Sequence, residues 1–483
     1  MAFFGRLHRC SAPLLRIGVE GAWRIRATAK PRRQSPFWRR SVSTSAAPLS
    51  DSARRRHHPQ SPVLTSPWLL IQRTPDSATE DGTGFSSSDT YLFYRLSDRG
   101  MISLKTKPTG SPGKIPDDAL CVGSSHGWLA YASLRRGTYF LTNPVICCPT
   151  PRPTISLPPV QTLPAVSFAQ ESEDRDLVLK LGLKDNLTGG FIEQKIEDLY
   201  SYLIVKVVMS SDPIKDKNTV VMAIQGQRYE ISFCRPGGVR WGYLKGQNRR
   251  GYSDLGYSQK HKLFYALFRT GYVFDAWDLN DPSSPKRIEY AFERYLNRPE
   301  WKGDEEMIRD MSVPIQYLVV DESSGGEDKI LVLTRYVARG VLENGGGAVT
   351  IAEEFENDIP YKTLRFDIYE VVSMKKGDSE VRVSRYVKNI GDRVLFLGRS
   401  HSFILSADDY PELTPSSIYF TDDWGVMSSC GDYGPPADYP YEGHDMGVYH
   451  LEDCSVTHHY HPSRLEKKLT RPPPMWFTPN QCN

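Results

Sequence analysis

Residues 391–423 read GDRVLFLGRSHSFILSADDYPELTPSSIYFTDD. Three short apolar runs, 394–397, 403–405 and 418–420, are separated by Gly, Ser, Asp and Pro. Apolar runs of this length between turn-forming residues are strand signals, and their spacing predicts a meandering antiparallel sheet. An acidic turn at Asp422-Asp423-Trp424-Gly425 and a further run at 447–451 complete one four-stranded unit over 391–451.

Comparable runs recur from Pro67 onward, among them 91–96, 128–132, 138–141, 203–209, 220–224, 229–233 and 262–268. The series continues at 273–278, 315–320, 330–336, 364–371 and 381–387. DESSGGED at 321–328 reads as a hairpin connection between two of them. Helical periodicity is scarce. Ile288, Phe292, Tyr295 and Leu296 share a helical face, which predicts a short helix over 285–296, and a second is expected within 172–201.

Many short strands permit a sandwich, a barrel or a propeller. Length arbitrates, because a body spanning 67–479 exceeds one sandwich. The expected fold is therefore all-β, a β-propeller of about six or seven four-stranded blades. No WD or kelch consensus recurs; Trp277-Asp278 is a single WD dipeptide.

Charge is unevenly placed. Residues 1–60 carry 12 Arg and one Lys against Glu20 and Asp51, a net of +11, whereas the rest carries 47 basic and 55 acidic residues, a net of −8. A basic total of +3 thus gives no reason to expect nucleic acid as a partner. Arg-rich, Ser- and Ala-containing and nearly free of acids, residues 1–60 read as an organellar transit peptide followed by a disordered linker. Arg dominates over Ser, which favours the mitochondrion, with chloroplast or dual targeting as the alternative and the organellar import machinery as the expected partner of this segment. No run approaches the ~20 apolar residues of a membrane helix, so membrane insertion is not expected. The eight cysteines show no CxxC spacing, and adjacent Cys147 and Cys148 read as idle thiols rather than a redox pair.

Several segments occur in an order that resembles a known family: CVGSSHGWLAYAS (121–133), LTNPVI (141–146), ISLPP (155–159), VVMSSDP (207–213) and ISFCRPGGVRW (231–241). They continue with KLFYALFRTGYVFDAWDL (262–279), PIQYLVVDESSGGEDKILVLTRYV (314–337), the 391–423 segment and PPPMWFTP (472–479). Together they are similar to the plant KIB-type β-propeller family, a former domain of unknown function often attached to an F-box. The resemblance implies a kelch-like β-propeller over 67–479 and, where an F-box is present, substrate recognition for ubiquitin ligation. Residues 41–66 are too short and too polar for the three packed helices of an F-box. The chain therefore resembles an organelle-targeted branch lacking that module.

Chemistry-bearing clusters have simpler readings. Ser125 and His126 are neighbours entering a strand, so their side chains are expected to diverge, with Trp128 as a packing anchor. His458, His459 and His461 offer two imidazoles on one strand face but no second ligand cluster, so no metal is expected. Asp408-Asp409 and Asp422-Asp423 read as turn-capping acids. Asn186-Leu187-Thr188 is a formal glycosylation sequon, and Gly345–Gly347 lacks the remainder of a phosphate loop.

No catalytic, cofactor or metal residue is expected. The predicted function is a non-enzymatic protein-interaction propeller with an unidentified protein partner. The contact loop is expected in the Tyr-rich stretch 432–448, through Tyr433, Tyr439, Tyr441 and His444. The alternative is an F-box-type substrate-recognition role in nucleus or cytosol.

Overall fold

The computed structural model describes, with breaks, residues 66–479; the longer undescribed stretches are 1–65, 76–87, 297–308, 340–360, 424–443 and 461–472. The transit segment, Cys147, Cys148, the 186–188 sequon and Gly345–Gly347 lie outside the described residues. Six blades form a ring. The first holds β1 (Trp68–Pro75), β2 (Asp89–Arg95) and β3 (Gly100–Lys105), and the second β4 (Ala119–Ser125), β5 (Trp128–Ser133), β6 (Thr138–Thr142) and β7 (Thr154–Leu157). A separate three-stranded sheet follows: β8 (Val166–Glu171), β9 (Leu177–Lys184) and β10 (Phe191–Lys195). The third blade is β11 (Ile204–Met209), β12 (Val221–Gln225), β13 (Glu230–Cys234) and β14 (Gly242–Leu244). The fourth is β15 (Tyr252–Ser258), β16 (Leu263–Phe268), β17 (Val273–Asp278) and β18 (Lys286–Ala291).

The fifth blade has β19 (Glu293–Leu296), β20 (Val313–Asp321), β21 (Lys329–Arg339), β22 (Tyr361–Lys376) and β23 (Ser379–Val387). The sixth has β24 (Arg393–Leu397), β25 (Phe403–Ser406), β26 (Ser417–Phe420), β27 (Gly447–His450) and β28 (Val456–Thr457). One strand remains, β29 (Met475–Phe477), and it belongs to the first blade, pairing Trp68↔Phe477, Leu69↔Trp476 and Leu70↔Met475. The ring is thus closed by the two ends of the described chain, with β29 as the innermost strand of that blade.

Side-chain alternation builds the core. On β1, Trp68 and Leu70 face the second blade, where they meet Cys121, Leu129 and Tyr131. Leu69 and Ile71 point the other way, into Val394, Phe396 and Tyr419 of the sixth. This is the period of two expected of a strand buried on both faces. Each of the six buried clusters among the described residues joins two successive blades, so every blade depends on both neighbours.

Two expectations are corrected. Residues 285–296 are strands, not a helix: β18 pairs with β17 in register Phe274↔Tyr290, and the two rings stack at 5.0 Å. Ile288, assigned to the buried helical face, is 48% exposed. Pairing with β17 overrides a chance 3.6-residue spacing. Within 172–201 the chain likewise forms β9 and β10, paired antiparallel. The sixth blade is also not a simple meander. β25 folds back on β24 as the sheet's edge, and β26 adds to the other side of β24 in parallel, Val394↔Ser417 to Leu397↔Phe420. A parallel pair requires the chain to travel back before re-entering the sheet, and residues 407–416 provide that return.

Candidate interaction face and its buried supports

The strands β29, β4, β11, β15, β20 and β25 touch one another in succession and so line the axis of the ring. Close approach there favours small residues: a Cβ on Gly123 would lie 3.3 Å from Val207 Cβ, and one on Gly256 3.0 Å from a Val320 methyl. The segment 398–402, between β24 and β25, crosses this channel. Its turn begins at Gly398, whose φ of 149° is open only to glycine and whose missing Cβ makes room for Thr421 Oγ1.

Charged side chains converge in the channel: Lys206, Asp254 and Arg399, the last donating from Nη2 to the Ile204 carbonyl at 3.4 Å. Lys206 on β11 and Asp254 on β15 are both buried, with Nζ 2.5 Å from Oδ1. Lys206 Nζ also donates to the Gly398 carbonyl at 3.1 Å and to Ser402 Oγ at 3.0 Å. Asp254 accepts from the backbone N–H groups of Leu255 and Leu318 and from the Ser402 hydroxyl. One carboxylate therefore joins the fourth, fifth and sixth blades, and its lysine partner adds the third. A buried ion is tolerated only with this degree of satisfaction.

Near the channel, Ser125 Oγ and His126 Nδ1 lie 3.0 Å apart, which corrects the expectation that they diverge. The cause is local. The β4–β5 hairpin pairs Ser125 with Trp128, leaving His126 (φ 50°) and Gly127 (φ 76°) as a two-residue turn with positive φ at both positions. Ser125 Oγ also accepts the Met209 N–H, so it tethers the second blade to the third. The His126 ring stacks on His401 from the channel segment, with centroids 6.1 Å apart and planes 10° apart. Burial lowers the pKa of both imidazoles; for His401, burial first and then His126 and Lys206 push it to about 3. Both rings are thus held neutral. Trp128 is an anchor as expected, buried and donating from Nε1 to Asp212.

A second buried cluster roots the stretch chosen as a contact loop. Arg335 on β21 is fully buried; Nη1 donates to Asp423 Oδ1 and Nη2 to Asp445 Oδ2, each at 2.9 Å. It also bonds the Thr421 and Asp445 carbonyls, Thr363 Oγ1 and the Tyr317 hydroxyl. The guanidinium lies over the Phe420 ring at 4.8 Å. Asp422 accepts the Tyr361 hydroxyl at 2.6 Å, and Asp423 accepts that of Tyr317. Asp422 and Asp423 are therefore not turn caps but buried members of the junction between the fifth and sixth blades. Burial raises both carboxyl pKa values, with Arg335 pulling Asp423 back down. His444 stands at the rim of the cluster, its Nε2 2.7 Å from the Tyr361 carbonyl and its ring against that tyrosine. Tyr433, Tyr439 and Tyr441 lie outside the described residues. Asp423 and Asp445 flank them in sequence, and one arginine holds both.

The remaining sequence candidates are placed simply. Asp408 and Asp409 sit in the turn after β25, as expected, but the cap is Ser406, whose Oγ accepts the Asp408 N–H and whose carbonyl accepts that of Asp409. His458 Nδ1 lies 2.8 Å from the Met446 carbonyl, while His459 and His461 fall outside the described residues. Trp277 is buried in β17. Lys206, Asp254, Ser402 and Arg335 were not singled out by sequence. Their only visible signal is a charged or hydroxylic residue inside or beside an otherwise strand-like run.

Fold and axis together define a six-bladed β-propeller whose centre is crossed by its own chain. The chain belongs to the KIB1-4 β-propeller family, whose description matches residues 93–450. It is 32% identical over 101 residues to the F-box protein At2g17690 of Arabidopsis thaliana, covering 21% of this chain and 22% of that protein. It is 25% identical over 228 residues to the F-box protein SKIP23 of the same plant, covering 43% of this chain and 50% of that protein. The chain thus matches no more than half the length of these curated relatives. Among solved structures, Hsv2 of Kluyveromyces lactis aligns over 67% of this chain and 98% of its own, at 10% identity and a TM-score of 0.21. A likeness that slight carries no argument.

Proposed function

We propose that this protein is a non-enzymatic interaction module, imported into an organelle and most consistent with mitochondria. The observation that carries the reading is the state of the axis. Lys206, Asp254 and Ser402 meet there and are bonded to one another and to backbone. Their role is to hold the blades, which leaves recognition to the loops above them. The basic segment 1–60, net +11 on a body of −8, supports import. Proximity labelling from the propeller, in cells expressing the full chain, tests the interaction role: a reproducible protein neighbour is expected, and labelling indistinguishable from an inert organellar control would sink it. A fluorescent fusion of residues 1–60 tests import, and a cytosolic or nuclear signal would overturn that part.

A second reading follows from the relatives, both of which are named as F-box proteins. In it the propeller selects substrates for ubiquitin ligation. Co-purification of a ubiquitin-ligase scaffold with the full chain would favour it over the organellar role.

A further inference from the structure

The loop between β17 and β18 reads Asp281-Pro282-Ser283-Ser284-Pro285, and Lys286-Arg287 open β18. The Ser284 N–H closes a turn onto the Asp281 carbonyl at 3.0 Å. Its two serines are in different states. Ser283 Oγ donates to Asp281 Oδ1 at 2.6 Å, and the Ser283 N–H bonds the same oxygen. Ser284 is exposed, and its hydroxyl holds no hydrogen bond among the described residues. An exposed alcohol at the exit of a turn, with no local bond to break, is open to an incoming enzyme.

The residues after Ser284 are already extended. Proline disfavours helical backbone at the residue before it, and 286–291 run as β18, the outermost strand of the fourth blade. Lys286 is exposed, whereas Arg287 is held by Asp275 Oδ1 at 2.9 Å. Charge around the turn is mixed: Ser283 lowers the pKa of Asp281 most, and Lys286 and Arg235 add to the effect. A phosphate on Ser284 therefore meets cations as well as a carboxylate, and on an exposed side chain it displaces nothing from the core.

We propose that Ser284 is a phosphorylation site for a proline-directed protein kinase, read through Pro282, Pro285 and Lys286. In the transfer Ser284 Oγ bonds to the γ-phosphorus of ATP, and the bond from that phosphorus to the bridging oxygen of ADP breaks. The hydroxyl proton passes to the carboxylate base of the kinase. Pro285 matters because a pocket that receives proline needs no acceptor for an N–H. Thr414-Pro415 is the natural comparison: exposed as well, but with Glu412 where Ser284 has Pro282, and with no cation at 416 or 417. Its backbone is also committed, the N–H to the Tyr419 hydroxyl and the carbonyl to the Ser417 hydroxyl. Phosphorylation adds a charge of about −1.5 to −2 to a loop of the propeller. The assignment goes beyond the interaction role and does not depend on it.

The test incubates the purified full chain with ATP and a mitogen-activated protein kinase and maps the product by tandem mass spectrometry. Phosphate is expected on Ser284 and not on Ser283 or Thr414. Ser284→Ala should abolish that phosphopeptide, and Ser283→Ala should retain it. Pro285→Ala should slow the reaction at least about tenfold, because it restores an N–H that lacks an acceptor. Lys286→Glu should slow it by a smaller factor. Circular dichroism melting of each variant before reaction separates a lost site from a lost fold. A synthetic peptide of residues 279–290 is the unfolded reference, and the folded chain should react within about tenfold of its rate. A slower reaction would mean that the turn must open first and would overturn the proposal. An unmodified Ser284, equal modification of Thr414, or an unchanged rate in Pro285→Ala would do the same.

Discussion

Arg335 holds Asp423 and Asp445 through its two terminal nitrogens, each contact 2.9 Å and all three side chains buried. The fifth blade supplies the cation and the sixth both anions, so one side chain joins two sheets. Arg335→Met keeps much of the volume but leaves two buried carboxylates facing each other. Removing one partner of a buried pair costs about 3–5 kcal/mol. Urea denaturation of the variant should show a loss of that order, and a loss below about 1 kcal/mol would mean that the junction does not depend on the charge.

Lys206 and Asp254 make a comparable pair at the axis, but with four blades in contact. Lys206→Met strands Asp254, whereas Asp254→Asn preserves a carbonyl acceptor for the Leu318 N–H. Lys206→Met is therefore expected to be the worse substitution, and combining the two should cost less than the sum. A double-mutant cycle should give a coupling of about 1–3 kcal/mol; simple additivity would mean that the two groups act independently.

Ring closure depends on three residues late in the chain. Trp476 is buried, pairs with Leu69, meets the Phe396 ring edge-on at 5.1 Å and donates from Nε1 to the Leu397 carbonyl. Trp476→Ala should destabilise by about 3–5 kcal/mol. Deleting residues 473–479 should broaden the thermal transition as well as lower it, because the first blade loses its inner strand and the sixth loses Trp476 against Phe396. A sharp, unshifted melt of the truncated chain would contradict the closure.

Acid should loosen the channel. An unfolded histidine titrates near 6.5, and His401 in the fold near 3, so between those values the unfolded state binds the extra proton. The stabilisation is complete above about pH 6.5 and is lost as pH falls toward 3. His126 shifts in the same direction. Groups facing the pair are Lys206 on His401, and Asp212, Glu322 and Gln259 on His126. The melting temperature should drop between pH 7.5 and 5, and the drop should shrink in His401→Gln. An unchanged pH slope in that variant would remove His401 as the source.

Apolar strands were legible in sequence wherever they lay, β11, β20 and β25 at the axis included, whereas polar or very short strands were not. Runs such as 262–268 and 330–336 became β16 and β21 because strands packed on both faces are nearly all apolar. β15, YSDLGYS, escaped notice because it faces a polar axis and carries Asp254 and Gly256 where an apolar run was sought. β4 mixes Gly123, Ser124 and Ser125 for the same reason. β29 is only three residues long, and its partner β1 lies at the opposite end of the described chain. Of the candidate site, Ser125, His126 and the paired aspartates were noticed, but their partners come from other blades. No local pattern could supply the partners of Lys206 or Arg335, because each pairing is a long-range juxtaposition.

The pairing of Trp68 with Phe477 also sets a timetable. During synthesis the first blade must wait, with one edge of β1 unpaired and Leu69 uncovered, until nearly the whole described chain has followed it. Closing so long a loop is slow, and an exposed apolar strand invites wrong partners meanwhile. The same delay keeps the ring open and threadable until its final strand arrives, so the age of a newly made molecule is written in whether its first and last strands have met.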